Sequence, residues 1–238
     1  MTQETRHQPS GPLVLAAALA AAAGFVDAWV YLNVTPVFVA NMSGNLIHLG
    51  MYVGRSDWSQ ALAAVVALAG FVVGVGAATW HLDRQVRAGR EPHPSALLVL
   101  ESVLLVVVLG LLEVSDIRFS ATVRLGDLHV IVIAAFAMGL QAAALRRVGQ
   151  IAVATTYGTG TVVRVGEKIV LGLRGTERVH DERRRATVIV LCAVLASYVG
   201  GAAVAALLGA TPWWLVVPAV VLAVAASGVR VTGQTARD

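Results

Sequence analysis

The chain reads as an all-α integral membrane protein with about six transmembrane helices. They fall in two inverted three-helix repeats, each carrying a broken or re-entrant segment. Three observations predict this. Hydrophobic residues make up 57% of the 238 and charged residues only 13%, with a mean hydropathy of +0.75. Soluble domains run near about 45–50% apolar and about 25% charged, so this chain lacks the charge to keep a body of its size solvated. Six apolar stretches also approach the roughly 20 residues that a hydrocarbon core of about 30 Å requires of a helix. Finally, two polar, glycine-rich segments occupy matching places in the two halves.

The spans follow in order. Residues 13–32 hold one charge, Asp27, and residues 59–80 hold none. Residues 96–112 hold Glu101 alone, near enough to the helix start to snorkel to the surface. Residues 128–145, 186–209 and 212–229 are free of charge. The first span is alanine-rich but follows a single arginine, Arg6, and five more spans come after it. It therefore reads as an uncleaved helix rather than a signal peptide. The expected organisation is a cytoplasmic amino-terminal tail (1–12), a first repeat (13–114), an external loop (115–127), a second repeat (128–231) and a carboxy-terminal tail (232–238).

Positive charge orients the spans, because Lys and Arg accumulate in cytoplasmic loops. Segments 37–54 and 151–172 are half-apolar, and the topology turns on whether they cross. If neither does, fifteen Lys and Arg residues lie on one side and Arg55, Arg118 and Arg124 on the other. If both cross, the loop counts fall to about 11 against 5, with Arg164 and Lys168 stranded inside a span. If only the first crosses, the split is 14 to 4 with the amino terminus outside, which breaks the likeness between the halves. The six-span reading places both termini in the cytoplasm. Trp58, Trp213 and Trp214 at outer ends, and Trp80 at an inner end, suit interfacial anchors.

The likeness between the halves is direct. At an offset of 116, Val37, Gly44 and Gly50 fall on Val153, Gly160 and Gly166, while Ser43 falls on Thr159. Each half has an odd number of spans, so the second copy lies upside down.

The two motifs, residues 38–45 and 153–161, are the candidate site. Glycine allows unwound backbone, and Asn, Ser and Thr supply donors and acceptors. Such backbone persists in a membrane only where it is buried in protein or lines a wet cavity. Secondary transporters place two broken helices of this kind around a midplane site. Helix restarts near Ser43 and Thr159 would aim N–H groups at a ligand. The bland alternative is close helix packing through glycine. Asp27, roughly 20 Å into its span, is costly in a bilayer and so marks a polar pathway. It could instead snorkel, or cap the broken segment. Gln141 is its counterpart in the second half. The expected substrate-binding set is Asp27, Asn41, Ser43, Gly44, Asn45, Gln141, Thr155, Thr156, Thr159 and Gly160.

Enzymatic chemistry finds little footing. The glycine-to-lysine run from Gly160 to Lys168 lacks phosphate-loop spacing, no G-x-S-x-G elbow occurs, and the six histidines show no ligand spacing. No cofactor or metal is expected. The net charge of +4 reflects orienting loops rather than nucleic-acid binding. The expected partners are the lipid bilayer and a small solute of unknown identity. A homodimer is a candidate assembly, and Gly70-x-x-x-Gly74 suits close helix contacts within or between protomers.

At these motifs the chain resembles the YoaK family of small bacterial membrane proteins, a group named for its unknown function. The resemblance is carried by Gly24-x-x-Asp27, Phe38-x-Ala40-x-Met42-Ser43-Gly44-Asn45, Met138-Gly139-x-Gln141 and Thr155-Thr156-Tyr157-x-Thr159-Gly160. Ser43 stands where the family usually has Thr, and Ala142 where it tends to have an amide. The resemblance implies a six-helix inner-membrane protein and supplies no substrate or reaction. A small-solute transporter or channel is the leading expectation. A non-transporting scaffold that binds a partner through the same glycine faces is the alternative.

Overall fold

The computed structural model describes residues 11–115, 123–145, 160, 162–163, 165–167, 170 and 181–234. Seven helices are delimited within them: α1 (Gly11–Asn33), α2 (Met42–Gly54), α3 (Trp58–Arg87), α4 (Ser95–Ser115), α5 (Leu125–Leu145), α6 (Asp181–Leu208) and α7 (Val216–Gln234). A 3-10 turn, Pro212–Leu215, leads into α7. Among the described residues there is no strand.

Among the described residues, five helical stretches are long and apolar enough to cross a bilayer: Leu13–Asn33, Trp58–Arg87, Ser95–Ser115, Gly126–Leu145 and Thr187–Leu208. Where a sixth span was expected there is a shorter apolar helix, Pro212–Gly228, below the length of the other five. Large apolar side chains stay exposed along the long helices, among them Val72 and Val73 on α3, Val103 and Val106 on α4, and Val199 and Leu207 on α6. A helix apolar on all sides needs an apolar surrounding on its outer face. The arrangement is consistent with a multi-pass membrane protein.

Where helices touch, glycine sets the distance. A Cβ built on Gly24 of α1 would stand 2.0 Å from the Tyr198 carbonyl oxygen of α6, and one on Gly201 of α6 would stand 2.0 Å from that of Ala21. The same reciprocal contact joins α3 and α5: Gly74 against the Phe136 carbonyl at 2.2 Å, and Gly139 against that of Phe71 at 2.3 Å. Only a missing side chain on each helix lets the backbones approach so closely. Gly70 and Gly74, read from the sequence as a face within or between protomers, are thus occupied within the chain by α5.

Direction follows from the contacts. Gly70 meets Val132 and Gly74 meets Phe136, so α3 and α5 run parallel. Trp29 Nε1 near the end of α1 donates to the Gly209 carbonyl, 3.2 Å away and just past the end of α6, so α1 and α6 run parallel too. Helix α4 packs on α5 and α7, α1 also on α7, and α2 lies along α3.

Candidate functional site

The break between α1 and α2 is written in local chemistry. Pro36 has no N–H and disfavours helix at the residue before it, so α1 stops at Asn33. Helix resumes at Met42, capped by Asn41, whose side-chain oxygen accepts from the Gly44 N–H at 3.2 Å and from the Ser43 hydroxyl at 2.9 Å. The unwound stretch therefore starts earlier than the Phe38–Asn45 motif suggested. Ser43, Gly44 and Asn45 sit in the first turn of α2.

Val34, Thr35, Val37, Val39 and Ala40 are all buried, so their backbone groups are cut off from water. Unpaired, each such group costs on the order of 1–3 kcal/mol. Side chains from both flanking helices take up the debt. The Asp27 Oδ1 accepts the N–H groups of Val39 and Ala40, each at 2.6 Å. Asn45 pairs with Phe38 in both senses: its Oδ1 accepts the Phe38 N–H at 2.9 Å, and its Nδ2 donates to the Phe38 carbonyl at 2.6 Å. The Tyr52 hydroxyl donates to the Pro36 carbonyl at 3.1 Å.

One further bond reaches outside this region. The Tyr198 hydroxyl of α6 donates to Asp27 Oδ2 at 2.5 Å. An acceptor-only carboxylate thus meets three donors, two from the break and one from the second half of the chain. Of the two alternatives weighed for Asp27, snorkelling is excluded by its burial, and capping of the broken segment is what the geometry shows.

An aromatic stack lies along the break. Tyr31 stacks on Phe38 at 4.6 Å between ring centres and Phe38 on His48 at 5.6 Å, with Tyr52 tilted against His48 at 5.7 Å. Gly44 gives the Phe38 ring its room, since a Cβ there would stand 2.8 Å from it.

The structure therefore gathers Asp27, Asn41, Ser43, Gly44 and Asn45 around one break. Gln141 is elsewhere. Its Nε2 donates to the Leu19 carbonyl at 2.9 Å, eight residues and about 12 Å along α1 from Asp27. Thr155, Thr156 and Thr159 lie outside the described residues; Gly160 is helical and exposed. Glu101 does not snorkel, for it is 0% exposed. Among the described residues no three His, Cys, Asp or Glu side chains gather to hold a metal ion.

Tyr198, Tyr52 and Thr35, which bonds Gln60 across 3.0 Å, are the polar participants not anticipated. A tyrosine inside an otherwise apolar span was the one available signal for Tyr198. A cavity of about 430 Å³ opens among α1, α6 and α7, lined by residues such as Ala18, Phe25, Gly200 and Val221. It is apolar and does not border the Asn41–Asn45 turn.

The family described as protein of unknown function, DUF1275, matches residues 15–228. The chain is similar to the UPF0700 transmembrane protein YoaK of Bacillus subtilis (strain 168), 33% identical over 150 residues. That alignment covers 62% of each chain, so it spans a little under two thirds of the relative's length. No solved structure matches.

Proposed function

This chain belongs to the DUF1275 family, and from that premise we propose that it is a small-solute transporter or channel of the bacterial inner membrane. In this reading six spans form two inverted halves, both termini are cytoplasmic, and the chain moves a solute rather than transforming it.

The observation that carries the proposal is the buried break between α1 and α2, held by Asp27 and latched to α6 by Tyr198. A discontinuous helix, stabilised by side chains and touching the other half, is the element transporters use to form and gate a site. The paired contacts support the inverted halves. Gly24 on the Tyr198 backbone has its counterpart in Gly139 on that of Phe71, and Gly201 on Ala21 has one in Gly74 on Phe136. Each half thus exchanges equivalent helices with the other. Gln141 brings the carboxyl end of α5 beside the amino half of α1, as helices of opposite direction do. At 13 residues, α2 is about 20 Å long, too short to cross unaided.

Asp27 then serves as the latch of the broken segment rather than as a free ligand for solute. Asp27→Asn weakens that latch, because the amide nitrogen cannot accept, and movement of solute is expected to fall with it. Comparing metabolite profiles of a deletion strain complemented with wild-type or Asp27→Asn protein tests this. A deletion that leaves every profile unchanged would sink the transporter reading.

One observation favours the second reading, a non-transporting scaffold. Asp27 and Asn45 spend their hydrogen bonds on the chain itself, leaving the break closed. A scaffold predicts a co-purifying partner lost on deletion of α2, with no change in metabolites.

A further inference from the structure

Glu101 shares the burial of Asp27 but none of its hydrogen bonding. It sits six residues past Ser95, so about 9 Å into a helix about 30 Å long. It is 0% exposed, and among the described residues neither carboxyl oxygen has a hydrogen-bond partner. Its neighbour Ser102 is committed elsewhere, donating to the Ala219 carbonyl of α7 at 2.8 Å.

Among the described residues, the elements packed on α4 place no bonded counter-charge on Glu101. Helix α5 carries Asp127, whose carboxylate accepts the Arg124 N–H, and the exposed His129, both in its first turns. The 3-10 turn has no titratable residue, and α7 has Arg230, whose side chain lies outside the described residues. On α4 itself Glu113 is twelve residues away, about 18 Å along the axis. Among the described residues none of these bonds to Glu101.

An ionised carboxylate taken from water without partners costs several kcal/mol even after relaxation. A buried acid in this setting is met at least cost by a proton. A metal cation would demand several oxygen ligands together, and among the described residues no such group gathers.

We propose that Glu101 is a proton-binding site within the membrane, holding a proton at rest and exchanging it with solution through a transient opening of the α4–α5–α7 contact. This goes beyond the solute reading and does not depend on it, because Glu101 and the Asp27 latch share no partner.

The test is infrared spectroscopy of the full chain in proteoliposomes, reading the C=O stretch of a neutral carboxyl. The expected result is a band that shifts in deuterated buffer, disappears reversibly from acid to alkaline buffer, is lost in Glu101→Gln and persists in Asp27→Asn. Should Glu101→Gln fail to fold, dicyclohexylcarbodiimide supplies a readout on the wild type. The carboxyl O–H adds across a C=N bond of the reagent, oxygen to carbon and proton to nitrogen, with nothing leaving. Mass spectrometry then places the adduct on Glu101. A band that neither exchanges nor titrates would overturn the proposal by showing a static, dry acid. So would the absence of both band and adduct, which would show an ionised, paired group.

Discussion

Gly24→Ala puts the latch and the helix contact under one perturbation. The added Cβ would sit 2.0 Å from the Tyr198 carbonyl oxygen, whereas real Cβ atoms essentially never come within 3.0 Å of a neighbour. The obstructing atoms belong to the α6 backbone, so no side chain can swing aside. Helices α1 and α6 must therefore separate by about 1 Å at this crossing, a typical overpacking response. Tyr198 stands at the crossing, and its hydroxyl, now 2.5 Å from Asp27, moves to the edge of hydrogen-bond range. Overpacking costs about 1–3 kcal/mol, and weakening a bond to a charged group adds part of its about 1.5–3 kcal/mol. A destabilisation of about 2–4 kcal/mol is expected. Denaturant unfolding of the purified protein in detergent measures it. Gly50→Ala, with nothing within 4 Å of its Cβ, serves as a control expected to be neutral or slightly stabilising. The bond itself is isolated by a double-mutant cycle. Tyr198→Phe alone should cost about 1.5–3 kcal/mol, and much less in the Gly24→Ala background. Equal costs in both backgrounds, or a Gly24→Ala protein as stable as wild type, would refute the reasoning.

Two further outcomes are expected. Asn45→Ala removes both bonds to the half-buried N–H and carbonyl of Phe38, so it should cost about 1–3 kcal/mol and speed hydrogen exchange at the Phe38–Ala40 amides selectively. Normal protection of those amides would show that Asn45 does not hold the break. For topology, single cysteines in place of Arg6 and Arg90, with Cys192 replaced by Ala, should react with an impermeant thiol reagent only from the cytoplasmic side, and one in place of Arg55 only from outside. Labelling of the Arg6 position from outside would favour the rival in which 37–54 crosses fully.

Much of the site was legible because its chemistry is local. Pro36, Asn41 and Gly44 lie within nine residues of one another, and a proline, a capping amide and a glycine mark where a helix stops and restarts whatever surrounds them. The sequence motif set the break a few residues late, because Ser43, Gly44 and Asn45 already belong to the first turn of α2. Gln141 was grouped with Asp27 by likeness of position in the two halves, but likeness does not bring residues together. Its amide nitrogen bonds Leu19, twelve ångströms or so from the carboxylate, and its Oε1 has no partner among the described residues. Glu101 was misread for a related reason. Depth along a helix can be counted from the sequence, yet the face turned to lipid, water or neighbours cannot.

The sequence by itself pointed to a chain that lives in a bilayer, to roughly where it crosses, and to two broken connections, of which the first lies within the described residues. Those properties depend on composition, run length and nearest-neighbour backbone chemistry, all of which act over a few residues. Only the tertiary structure decided what the polar groups are for. Asp27 became a three-bond latch because Tyr198, 171 positions away, sits across from Gly24. Glu101 became a partnerless acid because no donor among the described residues packs against it. A carboxyl group's chemistry is set by what lies within about 3 Å of it, and in a helical bundle those atoms come from distant parts of the chain.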